Sequence, residues 1–186
     1  MTIINRSALT WRTRDIVVTA VIAVAFGVFF WAFGPVWSAL TWLGPLQNIL
    51  YGAWLLPAIV APLVVRKAGA ALFAEVVAAG LSALLGSQWS IDTLLSGVVQ
   101  GGAAELVFLA FMYRNWSLPV VAAASLAASA AAFVHDWVVY YATYDAAALA
   151  GIGIFMAISG IVVLPLVAVA LVRALRRSGA IEGFPA

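Results

Sequence analysis

The chain has 186 residues, of which 66% are hydrophobic and only 9% are charged, and its formal net charge is +2. Soluble domains carry about a quarter charged residues, so this composition excludes a soluble protein and indicates a polytopic α-helical membrane protein. The sequence has no cysteine, no P-loop motif and no basic run with interleaved aromatic residues, which argues against disulfides, ATP hydrolysis by this chain and nucleic-acid binding.

Six apolar segments follow one another along the chain, and each is long enough to cross a bilayer as a helix. We predict spans over residues 15–37, 46–65, 69–86, 93–113, 119–141 and 150–173. No convincing internal repeat or soluble linker separates them, so residues 1–186 form one predicted domain. The predicted fold is therefore an all-α integral membrane protein, a bundle of six transmembrane helices.

The basic residues predict the orientation of this bundle. All nine Lys and Arg residues stand at segment ends that a six-span arrangement places on one side. Because cytoplasmic loops of membrane proteins carry the excess of Lys and Arg, we expect both termini to be cytoplasmic (N-in, C-in). The nine residues are Arg6, Arg12, Arg14, Arg66, Lys67, Arg114, Arg173, Arg176 and Arg177.

Two acidic residues fall inside predicted spans without a basic residue to neutralise them. Glu75 lies about 12 Å from the inner end of the third span, and Glu105 lies at nearly the same depth in the fourth. An ionised carboxylate at this depth costs about 2.5–3.5 kcal/mol, so such residues normally face a cavity and mark a functional site. The alternative is a protonated glutamic acid that is hydrogen-bonded to a neighbouring helix.

Glycines accompany Glu105 on the fourth predicted span. Gly97, Gly101 and Glu105 are four residues apart and share a helix face, with Gln100 close by. Such a stripe serves either close helix packing or a hollow beside the carboxylate. Because the stripe ends in a glutamate, we expect the hollow.

Polar and aromatic residues gather at the outer ends of the predicted spans. His135 and Asp136 lie about 25 Å along the fifth span from Pro119, and a single histidine argues against a metal site. The aromatic rings either anchor the bundle at the membrane interface or, with the amides and carboxylates, suit a small, flat, hydrogen-bonding ligand that can carry positive charge. The other residues of this group are Trp37, Trp42, Gln47, Asn48, Tyr51, Gln88, Trp89, Trp137, Tyr140, Tyr141 and Tyr144.

Three stretches of the sequence resemble a known family. They are RKAGAALFAE (66–75), LGSQW (85–89) and QGGAAELVF (100–108). They resemble the substrate-binding S components of energy-coupling factor (ECF) vitamin transporters, specifically the YkoE-type family for thiamine or its hydroxymethylpyrimidine precursor. The likeness covers nearly the whole chain and is most specific from the third span to the fourth.

The resemblance implies a multi-pass subunit, in the cytoplasmic membrane of a prokaryote, that captures the vitamin from outside. A T-component membrane subunit and two ATPase subunits would drive its release inside, so ATP would be bound by the partners and this chain would need no cofactor or metal. The small-residue stripe of the first span would dock the T component, although packing within the chain is the alternative. The stripe comprises Thr19, Ala23 and Gly27, with Ala20 alongside.

The same resemblance implies a set of ligand-contacting residues. Glu75 and Glu105 would bind the thiazolium charge and the aminopyrimidine edge, and Gln100 would support them with a hydrogen bond. The remaining predicted contacts are Trp89 or Tyr140 for stacking, His135 for the hydroxyethyl end, and Tyr51 and Asn48. The residues do not distinguish thiamine from hydroxymethylpyrimidine or a related pyrimidine.

Two other functional classes use the same residues. A proton-coupled transporter that works without partners would use Glu75 and Glu105 as its relay. An intramembrane serine protease would use Ser82, in the short motif of residues 80–83, with His135 as its base. The sequence offers no oxyanion-hole donor for the protease, so the transport functions are favoured.

Overall fold

The computed structural model describes residues 6–185, and over that range the chain is helical and contains no β-strand. The predicted all-α fold is therefore confirmed. A 3₁₀ helix, Thr41–Leu55, leads directly into α3, and a π-helical turn, Ser159–Val163, joins α7 to α8. The α-helices are α1 (Arg6–Leu9), α2 (Thr13–Ala39), α3 (Leu56–Val65), α4 (Ala70–Leu84), α5 (Asp92–Ala110), α6 (Leu118–Val139), α7 (Ala146–Ile158) and α8 (Leu164–Arg177).

Within residues 6–185, five helical segments are long and apolar enough to cross a membrane. The third predicted span, residues 69–86, is instead the shorter apolar helix α4, whose 15 residues extend over about 22 Å. Gly69 precedes the first residue of α4 and Gly86 follows its last turn, with φ angles of 85° and 90°, a left-handed conformation that glycine adopts without strain. The five longer segments are Thr13–Ala39, Thr41–Val65, Asp92–Ala110, Leu118–Val139 and Ala146–Arg177.

The second of these segments changes its helix type halfway. Its first half is the 3₁₀ helix, in which residues three apart share one face, so Asn48, Tyr51 and Trp54 form a single row. Pro57 begins the α-helical half in the first turn of α3, where a proline needs no hydrogen-bond partner for its nitrogen. The junction therefore leaves the amino-terminal end of a helix inside the bundle.

The π-helical turn of the last segment packs against this 3₁₀ helix. The Ser159 hydroxyl oxygen accepts a hydrogen bond from the backbone N–H of Gly52 at 2.8 Å. A Cβ atom at Gly52 would lie only 2.9 Å from the Cβ atom of Leu164, so the glycine permits the close approach. The two irregular helical turns are thus held together by a buried contact.

Helices α4 and α5 pack closely through glycines. A Cβ atom at Gly97 would lie 2.6 Å from the Ala79 Cβ atom, and one at Gly101 would lie 2.8 Å from the Glu75 Cβ atom. Both distances are shorter than a van der Waals contact, so these positions require glycine. The expected hollow is therefore absent beside Gly101, where α4 occupies the space, whereas Gly97 also lines a cavity.

The small-residue stripe of α2 also packs within the chain. Thr19 and Ala23 are completely buried, and a Cβ atom at Gly27 would lie 2.9 Å from the carbonyl oxygen of Ala78 in α4. Ala20, alongside the stripe, is half-buried. Packing within the chain therefore accounts for Thr19, Ala23 and Gly27, and the docking role of this helix remains a prediction.

Basic residues gather at one end of the bundle. Lys67, between α3 and α4, lies 3.4 Å from the carboxylate of Asp15 near the start of α2. Arg66 lies over the ring of Trp116, just before α6. Burial lowers the pKa of Arg66, and the positive charge of Arg176 near the end of α8 lowers it further. The starts of α2, α4 and α6 and the end of α8 therefore meet at this basic end.

Candidate ligand-binding site

A cavity of about 370 Å³ lies at the opposite end of the bundle, where α2 and α6 end and α5 and α7 begin. Its volume is in the range of small-molecule sites. No Lys or Arg is among its lining residues. The aromatic lining residues are Phe30, Trp37, Tyr51, Trp54, Trp89, Tyr140, Tyr141 and Tyr144, and the polar ones are Thr41, Gln47, Asn48, Glu75, Asp92, Thr93, Ser96, Gln100 and Asp136.

Tryptophan rings form the apolar wall of this cavity. The ring of Trp54 meets that of Trp89 edge to face, with centroids 5.2 Å apart. Trp54 also contacts Phe30 and Trp37, with centroid distances of 5.4 and 6.0 Å. Interlocked rings have few rotamers available, so the wall offers fixed aromatic faces to a planar ligand.

Asn48 presents an unused hydrogen-bond acceptor in a residue that lines the cavity. Its Nδ2 atom donates to the carbonyl oxygen of Pro45 at 3.1 Å, which fixes the orientation of the amide because a carbonyl only accepts. The Oδ1 atom is buried and has no hydrogen-bond partner among the described residues. A buried acceptor without a partner costs about 1–3 kcal/mol.

Glu75 lines the cavity although it is only 1% exposed. Its Oε2 atom accepts a hydrogen bond from the backbone N–H of Ala58 at 2.9 Å, in the first turn of α3. The amino-terminal end of a helix carries partial positive charge and favours a carboxylate. The change from 3₁₀ to α-helix between Leu55 and Leu56 therefore places the start of a helix against Glu75, a residue for which the sequence offers no basic partner.

Glu105 lies elsewhere, at the basic end of the bundle. Its two carboxylate oxygens accept hydrogen bonds from the backbone N–H groups of Gly69 at 2.6 Å and Ala71 at 2.9 Å. The hydroxyl of Tyr113 donates to the same carboxylate at 2.7 Å. Glu105 thus caps the start of α4 and does not line the cavity. This placement corrects the prediction that it contacts a ligand together with Glu75.

A hydrogen-bonded network, here called the outer network, runs along the polar wall. It links Tyr140, Asp92, His135, Asp136, Tyr51, Gln100 and Ser96. Tyr140 donates to Asp92 Oδ2, and His135 Nε2 lies 3.2 Å from Asp92 Oδ1. On the other side of the ring, His135 Nδ1 lies 3.0 Å from Asp136 Oδ1. The network therefore joins the first turn of α5 to the last turn of α6.

The outer network continues to the 3₁₀ helix and back to α5. Tyr51 donates its hydroxyl to Asp136 Oδ2 at 2.7 Å. Gln100 Nε2 lies 3.3 Å from the Tyr51 hydroxyl oxygen and 2.5 Å from Ser96 Oγ, and donates to both. The side chains of this half of the wall are consequently fixed before any ligand arrives.

Six of the eight predicted contact residues line this one cavity: Glu75, Gln100, Trp89, Tyr140, Tyr51 and Asn48. His135 lies behind the wall, with 7% of its side chain exposed and both ring nitrogens against carboxylates. Both ring nitrogens of His135 are therefore engaged by carboxylates. The histidine is not available as the general base for Ser82 that the protease alternative requires. The predicted ligand contacts did not include Asp92 and Asp136, which line the cavity. The signal for Asp136 was its position directly after His135, which was predicted as a contact.

Comparisons with known proteins place the chain among transport proteins. Residues 14–132 match a family described as the permease component of an ABC-type cobalt transport system. A protein of Bacillus subtilis (strain 168) named as an HMP/thiamine permease, YkoE, is 33% identical over 177 residues, which cover 94% of this chain and 89% of that protein. A crystal structure of an S-component of an ECF transporter matches with a TM-score of 0.88 and 33% identity, over 94% of this chain and 90% of that one.

Proposed function

This chain belongs to the family of ABC-type transport permease components that includes YkoE and a structurally known ECF S component, and from this premise we propose that it is the substrate-binding S component of an ECF-type importer. The relatives are transport proteins, so the chain is not an enzyme. In this proposal the chain captures thiamine or its hydroxymethylpyrimidine (HMP) precursor from outside the cell. A T component and ATPase subunits, which bind the ATP, complete the importer.

The proposed topology has six spans with both termini cytoplasmic, in the cytoplasmic membrane of a prokaryote, as a single domain. Helix α4 is the third of these six spans, and its modest length is acceptable because neighbouring helices bury much of it. The basic end of the bundle would face the cytoplasm. The cavity lies at the other end and would open to the outside, where an importer first meets its ligand.

The observation that carries this proposal is a cavity with aromatic walls, three carboxylates (Glu75, Asp92 and Asp136) and no basic lining residue. These features suit a planar organic cation. The description of the matching family names cobalt transport. However, residues 6–185 contain no group of three or more His, Cys, Asp or Glu side chains that could hold a metal ion. The donor set therefore supports an organic ligand.

Each half of thiamine finds complementary groups in the cavity. The exocyclic amine of the pyrimidine would donate to Asn48 Oδ1. A ring nitrogen and the Glu75 carboxylate are both acceptors, so these two groups would share one proton to form their hydrogen bond. Trp89 offers a face for stacking. The thiazolium would lie towards Asp92 and Asp136, with Tyr140 beside it at the mouth. The proton-coupled alternative loses support, because Glu105 caps α4 and is separated from Glu75.

Calorimetry on the purified chain tests the proposed function. We expect thiamine to bind at least about tenfold more tightly than HMP, because only thiamine has a permanent positive charge to face the carboxylates. Absence of binding by both ligands would overturn the proposal. Uptake into liposomes by the chain alone, driven by a pH gradient, would favour the transporter that works without partners.

A ligand analogue tests the role of Asn48. Exchanging the pyrimidine amine of thiamine for a carbonyl places an acceptor against the unpaired Oδ1 atom, so we expect a loss of affinity of about tenfold or more. In Asn48→Leu the acceptor is absent, and the two ligands should bind with similar affinities. An unchanged preference for the amine in this variant would contradict the assignment.

A further inference from the structure

The four oxygens of the two outer carboxylates all have partners in the outer network. Asp92 meets Tyr140 and His135 Nε2, and Asp136 meets Tyr51 and His135 Nδ1. An ionised carboxylate can only accept hydrogen bonds, so each of these four partners must donate. A neutral imidazole donates from one nitrogen and would turn the lone pair of the other towards an acceptor. Both carboxylates are satisfied at once when both ring nitrogens carry protons.

We propose that His135 is an imidazolium that positions Asp92 and Asp136, so that the three side chains present one negative charge to a singly charged cationic ligand. This inference deepens the proposed function and rests on it. His135 is a positioning residue, because it lies behind the wall and does not line the cavity.

The surroundings of Asp92, His135 and Asp136, here called the triad, support the charge assignment. Asp92 occupies the first turn of α5, where the helix dipole favours a carboxylate, whereas Asp136 lies in the last turn of α6, where the dipole opposes it. An ionised Asp136 is therefore stabilised by a nearby positive charge, and the described residues that line the cavity include no Lys or Arg. The imidazolium ring, 3.0 Å away, provides that charge.

The tyrosines that face the triad remain donors. Burial raises the pKa of Tyr140, and its hydrogen bond to Asp92 raises it further, so its hydroxyl keeps its proton. Burial and the charge of Asp136 have the same effect on the pKa of Tyr141. The remaining neighbours are Tyr51 on the 3₁₀ helix, whose hydroxyl donates to Asp136, and Tyr144 beside Tyr141.

A consequence for selectivity follows from the charge of the triad. Two carboxylates and one imidazolium leave a single uncompensated negative charge, which matches a thiazolium. The two carboxylates belong to different helices, so without the ring they would repel each other across the mouth of the cavity. His135 therefore contributes both to the charge and to the shape of the site.

The charge of the ring can be measured directly because His135 is the only histidine of the chain. Protein labelled with ¹⁵N-histidine and purified through a histidine-free tag gives one imidazole signal, without assignment. At neutral pH and without ligand, we expect both ring nitrogens to carry protons. A ring with one unprotonated nitrogen would overturn the proposal, whatever ligand the protein binds.

Substitutions separate the positioning role from simple packing. We expect His135→Gln to weaken thiamine binding at least about tenfold, because the two carboxylates then repel each other out of position. We expect a similar loss in Asp136→Asn, because the three side chains then carry no net negative charge. HMP is neutral, so its binding should change less than about threefold in both variants. The double variant keeps the single negative charge of Asp92. It should therefore bind thiamine no more weakly than Asp136→Asn alone, so the two losses are not additive.

The outcomes of this series are distinct. Additive losses, or equal losses for thiamine and HMP, would show that His135 only fills space and would overturn the inference. A wild-type chain that binds neither ligand would contradict the proposed function instead, and the ring measurement would still decide the charge of His135. Melting temperatures of the four proteins identify any variant that fails to fold.

Discussion

Replacing Glu75 with glutamine should weaken thiamine binding by about 10- to 100-fold. A hydrogen bond to a charged group contributes about 1.5–3 kcal/mol, which corresponds to this range. The amide oxygen of glutamine can still accept the hydrogen bond from Ala58, so the first turn of α3 keeps its cap. Calorimetry with thiamine on the detergent-purified variant measures the effect.

Glu105→Gln is the matched control, since it makes the same chemical change in a carboxylate outside the cavity. We expect its thiamine affinity to stay within about threefold of the wild type, while its melting temperature falls because the start of α4 loses a charged cap. If only Glu105→Gln lost binding, the ligand would bind at the basic end of the bundle, and the assignment of the cavity as its site would be contradicted.

Replacing Gly101 with alanine should destabilise the protein by about 1–3 kcal/mol. The added methyl group would lie 2.8 Å from the Glu75 Cβ atom and 3.1 Å from the Leu72 Cα atom, so α4 and α5 would have to separate. Because Glu75 lines the cavity, we also expect a weaker affinity for thiamine. Thermal unfolding in detergent, with and without thiamine, measures both effects.

The neighbouring residue provides the control for this substitution. A Cβ atom at Gly102 would meet nothing within 4 Å, so Gly102→Ala should leave packing unchanged and stabilise the helix by up to about 1 kcal/mol. Equal melting temperatures for the two variants would contradict the close contact between α4 and α5.

Composition and residue placement allowed much of the fold and site to be predicted. The apolar segments gave the helices, because backbone in lipid must be hydrogen-bonded within its own helix. The outer aromatic and amide residues pointed to one end of the bundle, where Trp89, Tyr140, Tyr51 and Asn48 now share a cavity. Depth along a span identified Glu75 correctly as a lining residue.

Other features depend on contacts that a single sequence does not encode locally. Glu75 and Glu105 lie at similar predicted depths, but only the folded backbone shows that one meets the start of α3 and the other the start of α4. A small-residue stripe is compatible with any close neighbour, so Ala23 gave no sign that α4, rather than a second subunit, would cover it. The 3₁₀ helix was not predicted, because the span 46–65 was assigned from the length of its apolar segment, which does not distinguish 3₁₀ from α-helical turns.

The 3₁₀ helix Thr41–Leu55 limits which insertions and deletions this part of the chain can accept. With three residues per turn, one inserted or deleted residue between Tyr51 and Leu55 rotates the preceding side chains by about 120° relative to α3. Asn48 and Tyr51 would then leave the cavity together, and no rotamer change could return both. Homologues that keep this ligand should vary in the length of their outer loops and conserve the residue count of this segment.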